Sequence, residues 1–192
     1  MEQFFIGRRN NMPRFLMILI LIITIGTITF SGCKADISEE VEEDGGVLSY
    51  SEGNDAPKSI ESEEIISFEC EFSQIASAED NELSGKVYTL CAVLEDESVA
   101  CTFKWYDRYG EGETYEFIED ASFMAKLQDI VSKYDFAKYN GNVYKVSGLP
   151  EQYGATLDIT YASGESIYSA NNEECFLETQ AMSELAELFE RE

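Results

Sequence analysis

The chain has 192 residues, with 38 acidic against 13 basic side chains, a net charge of −25 and no histidine. Such a surface repels nucleic acid, and the missing imidazole removes the usual general base, the usual triad partner and the commonest zinc ligand. A binding or structural module stays open, as does an enzyme that works with carboxylates.

At the N-terminus, Arg8, Arg9 and Arg14 precede sixteen uncharged residues from Phe15 to Phe30. That is the layout of a signal peptide. A membrane-spanning helix needs about 20 apolar residues, and Thr24, Gly26, Thr27 and Thr29 dilute the end of this run. Phe30-Ser31-Gly32-Cys33 resembles the lipobox of bacterial lipoproteins, whose cysteine thiol receives a diacylglyceryl group before cleavage. The resemblance implies a signal peptide over residues 1–32, lipidation at Cys33, and an address on the extracytoplasmic face of the cell membrane, held there by two acyl chains. A short uncleaved anchor is the competing reading, and it exports the rest of the chain equally well.

Residues 33–64 read as the lipidated cysteine followed by an acidic linker. The stretches SEEVEEDGG, SEGNDAP and SIESEE offer too little apolar surface to offset the entropy of ordering, which predicts disorder. Residues 1–32 hold three arginines and Glu2, so the remainder carries 10 basic and 37 acidic residues, a net of −27.

Residues 65–192 are long enough for one globular domain. In IISFECEF, Ile66, Phe68, Cys70 and Phe72 alternate with polar residues, the period of a half-buried strand. KVYTLCAVL and SVACTFKWY follow as a hairpin pair around Glu95-Asp96-Glu97, and TYEFI continues the meander. Asp120 is placed to cap a helix whose Phe123, Leu127, Ile130, Val131 and Tyr134 share one stripe, with Lys126 facing away. ATLDITYA and SIYSAN form a second hairpin, turning at Ser163-Gly164-Glu165, and a last helix from Thr179 carries Ala181, Leu185, Leu188 and Phe189. The order predicts an α+β fold: a single antiparallel β-sheet with two amphipathic helices packed on one face.

The helix, the turn Tyr139-Asn140-Gly141, the hairpin around Tyr161-Ala162-Ser163-Gly164 and the closing helix resemble a C-terminal module of uncharacterised lipoproteins in Gram-positive anaerobes. Asn171 and Asn172 depart from that pattern. The resemblance implies the fold and the address, and it brings no activity.

The chemistry is sparse. No Gly-x-Ser-x-Gly, Ser-x-x-Lys or phosphate-binding glycine loop is present, no cofactor motif occurs, and the calcium-loop spacing is missing from the acid-rich YDRYGEGETYEFIED. Cys70, Cys91, Cys101 and Cys175 are too irregularly spaced for a zinc site and read as buried thiols. The register of the Asp96 turn decides whether Cys91 faces Cys101 in a disulfide. Aromatic side chains bury area while their polar tips stay wet, so Trp105, Tyr106, Tyr109 and Tyr115 are the candidate binding residues, with Tyr139, Tyr144 and Tyr153 a second set. The expectation is a tethered, non-catalytic binding or structural module whose partner is an envelope protein or glycan. The alternative is a carboxylate-dependent, glycosidase-like hydrolase.

Overall fold

The structure is a computed structural model that describes residues 49–52, 55–75, 81–149 and 153–191. The expected signal peptide over 1–32, the expected lipidation site Cys33 and the first part of the expected linker lie outside the described residues. The described elements are, in chain order, strands β1 (Ser49–Glu52), β2 (Ile65–Ser73), β3 (Lys86–Glu95), β4 (Ser98–Asp107) and β5 (Gly112–Asp120), helix α1 (Ser122–Lys133), a 3-10 turn (Phe136–Tyr139), strands β6 (Val143–Val146), β7 (Ala155–Tyr161) and β8 (Ser166–Asn171), and helix α2 (Thr179–Phe189).

Alternating side chains make β2 to β5 a meander and β7–β8 a hairpin laid against β2, in one sheet ordered β1-β6-β8-β7-β2-β3-β4-β5. The sheet is mixed, which corrects the expectation of a wholly antiparallel one. β6 pairs with β8 in parallel, Val143 with Ala170 and Tyr144 with Asn171. The cause is order: β7 runs inside the sheet and β8 returns between β7 and β6, antiparallel to the first and parallel to the second. A register shift between Ile65 and Ser67 likewise moves the burial by one residue. Ile65 is 1% exposed, while Ile66 is only half-buried.

One face of the sheet carries the core. α1 contributes Phe123, Met124, Leu127 and Val131 to it, and α2 contributes Ala181, Met182, Leu185, Ala186 and Phe189. The Phe189 ring lies 6.2 Å from that of Phe68 and stands edge-on to Phe123 at 5.0 Å, tying both helices to β2. Each such buried side chain contributes about 1.5–3 kcal/mol relative to exposure. Asp120 Oδ1 accepts from the Ser122 N–H at 2.8 Å just ahead of α1. Met124 joins the buried stripe, and Ile130 sits at its margin.

The other face has no helix over it among the described residues, and Glu69, Val93, Lys104, Glu116, Ile118 and Asp158 are exposed. Order also reaches back past Ile65 into the stretch expected as linker. β1 pairs with β6, and residues 55–64 lie along the domain as a strap. Glu165 Oε1 and Oε2 accept the Glu61 and Ser62 N–H groups, each at 3.0 Å. Asn140 Nδ2 donates to Pro57 O at 2.9 Å. Polar anchors hold this strap where apolar ones are few, and composition alone does not reveal them.

Candidate functional site

A groove of about 430 Å³ runs along one flank of α2, lined there by Ser183, Ala186, Glu187 and Glu190, and the Lys86 and Trp105 ends of β3 and β4 form its floor. Leu83, Tyr88, Phe103 and Trp105 supply its apolar surface. Glu82 rises from the β2–β3 loop, and Glu187 and Glu190 line it from the α2 side.

The floor belongs to a row of rings crossing four strands. Phe72 and Tyr88 are 5.1 Å apart, Tyr88 and Phe103 6.1 Å, and Phe103 and Tyr115 6.1 Å. Lys86 Nζ lies 4.4 Å from the centroid of the Trp105 ring, so an ammonium already rests on the groove's largest aromatic face. Burial, with Glu190 and Glu82 adding to it, pushes the Tyr88 phenol up to about 12. It therefore stays protonated at neutral pH. Tyr115 donates to Glu113, and that bond holds its phenol above the usual range.

The four aromatic residues expected to form one surface do not do so. Trp105 and Tyr115 lie on the covered face, packed against the core, with Phe103 stacked on Tyr115. Tyr106 follows Trp105 directly along β4 and so points to the opposite face, where Lys104 Nζ lies 5.3 Å from its ring. Tyr109 is 82% exposed at the tip of the β4–β5 turn, its N–H held by Asp107 Oδ1 at 2.8 Å. Tyr139 packs at 5.0 Å against Phe176, away from the groove. Tyr88, Phe103, Lys86, Glu82, Glu187 and Glu190 are among the groove residues that sequence reading missed. Alternation through β3 and β4 was the available signal for the first two.

The four thiols among the described residues are raised away from the thiolate state or turned apart. β3 and β4 turn tightly at Asp96-Glu97, pairing Cys91 with Thr102 and Ala92 with Cys101, so the two cysteines point to opposite faces. Burial pushes Cys91, Cys101 and Cys175 each up to about 11, far from the thiolate state at neutral pH. Among the described residues no three cysteine or carboxylate side chains converge as metal ligands would, and no helix is long and apolar enough to cross a membrane. Comparison with family models, with curated proteins and with solved structures gives no match.

Proposed function

We propose that this chain is a lipid-anchored protein on the extracytoplasmic face of the cell membrane, tethered through Cys33, and that it acts as a non-catalytic binding module of the lipoprotein type its sequence resembles. The groove beside α2 carries the reading. It has a volume within the range of ligand pockets, an aromatic floor, and three carboxylates against one ammonium. That balance selects a positively charged group on an apolar stem, presented by an envelope protein, over a neutral glycan. The absence of histidine and the high thiol values support binding over catalysis.

Trp105 is the chain's single tryptophan, so its emission reports on the groove without labelling. Titration of the full chain with N-acetyl-lysine methylamide should shift that emission. A shift seen only with soluble peptidoglycan fragments would overturn the charge preference, and no shift with either would remove the groove as the site. Fatty-acid labelling in cells tests the tether: Cys33→Ser should abolish it, and label retained elsewhere would refute the lipobox.

A further inference from the structure

Among the described residues β5 ends the sheet, with β4 on one side and no strand on the other. Folded proteins blunt such edges with short strands, prolines, bulges or charged side chains. β5 uses only the last of these, and every one of its charges is negative. It is nine residues long, GETYEFIED, and its register with β4 runs without a shift from Ser98 opposite Asp120 to Tyr106 opposite Gly112. Alternate residues of such a strand direct N–H and C=O groups outward, unclaimed by the sheet.

The surface beside that edge has two chemical features. Ile118 is 76% exposed and Val93 42%, and both flank Ala100 in register, so an apolar strip reaches the edge on the open face. Four carboxylates, Glu113, Glu116, Glu119 and Asp120, stand along β5 with no basic residue among them. Glu119 is engaged by Arg191 at 2.6 Å; its three neighbours hold no such partner among the described ion pairs.

We propose that the outer edge of β5 is a docking site for an extended segment of a partner protein, one carrying lysine or arginine at alternate positions with aliphatic residues between. Backbone pairing along β5 supplies the affinity, and Glu116 and Asp120 on one face, with Tyr115 and Phe117 on the other, supply the choice of partner. Charge decides against the other occupants. A second copy would pair β5 on β5 about Glu116 and set carboxylate against carboxylate, and the chain's own residues 34–48 are themselves acid-rich. This docking edge goes beyond the groove and stands apart from it.

The test uses the full chain in detergent and a short blocked peptide alternating lysine and valine. Binding should slow amide exchange along residues 113–119. A copy N-methylated at every residue keeps every charge but loses both rows of donors, and it should not bind. Glu116→Lys, at an exposed position that leaves the fold intact, should weaken the parent peptide about tenfold, whereas Trp105→Ala should leave it unchanged. Equal binding by the N-methylated copy, or by a peptide alternating glutamate and valine, would overturn the proposal, as would protection elsewhere or self-association through β5.

Discussion

The two ends of the sheet are held by different means. At the β4–β5 end nine consecutive register pairs do the work, and the ladder closes itself. At the β6–β8 end the parallel register covers only two pairs, and side-chain amides stand in for the missing ladder. Asn140 Nδ2 donates to Ser166 O at 3.1 Å and its Oδ1 accepts the Tyr168 N–H at 2.9 Å. Asn172 likewise joins Val146, its Oδ1 accepting the N–H at 2.8 Å and its Nδ2 reaching the C=O at 3.0 Å. Gly141 completes the first anchor at φ +74°, where a Cβ would come within 2.6 Å of the Ala56 side chain. A repetitive ladder spreads its stability over many equal bonds, whereas the amide end concentrates it in a few residues.

The largest effect should come from beneath both ends. Leu127 is fully buried in the shared helical layer, and Leu127→Ala should cost about 2–5 kcal/mol through lost transfer energy and the cavity left behind. Denaturant unfolding measures this directly. Lys126→Ala, on the exposed side of α1, should stay within about 0.5 kcal/mol. Equal losses would mean that α1 faces the other way.

Next in size is the amide end itself. Asn140 is 5% exposed, and removing its amide orphans the Tyr168 N–H and the carbonyls of Pro57 and Ser166. Asn140→Ala should cost about 2–4 kcal/mol, and hydrogen exchange should rise around β6, β8 and the strap while β4–β5 stays protected. If β4–β5 opened in step, the ends would form one cooperative unit and the contrast between them would fail.

That contrast also explains what the sequence made legible. β2 to β5, the β7–β8 hairpin and both helices show their period over six or more residues, enough for alternation to be counted. β1 and β6 are four residues each, too short for a period to emerge, and they are the strands that patterning missed. Tyr139-Asn140-Gly141 reads as a turn, but the amide's work depends on Pro57 and Tyr168, 83 and 28 residues away. The groove was legible only in part. Trp105 and Tyr115 stood out as aromatics, yet the groove needs the Glu187 and Glu190 flank of α2 set beside β3 and β4, a tertiary fact. Tyr106 could have been separated from Trp105 at once, since neighbours along a strand take opposite faces.

Acid should loosen the strap before the ladder. The backbone N–H of Glu61 first, then the Ser163 hydroxyl and the Ser62 N–H, hold the Glu165 carboxyl below its ordinary value. A depressed folded value means that the contact is fully present above the ordinary glutamate range and is lost as pH falls through the lowered one. Amide shifts of Glu61 and Ser62 should follow that titration, and Glu165→Gln should abolish the pH dependence. A pH-independent strap would show that Glu165 is incidental and that this segment is held by Asn140 and by Lys58, whose Nζ donates to Asn142 Oδ1 at 2.8 Å.

The smallest effect belongs to the ladder end. Glu116 is exposed on β5, opposite Thr102 on β4, so Glu116→Gln removes charge without opening a cavity or orphaning a buried group. Its stability change should stay within about 0.5 kcal/mol, and its sign should be stabilising at low salt, because one carboxylate leaves a row of like charges along β5. Raising the ionic strength should shrink even that gain as screening removes the repulsion. Urea midpoints measured at low and high salt separate the cases. A loss that persists in high salt would mean that Glu116 makes a structural bond, and that the acidic edge is part of how the ladder holds and not only of what it meets.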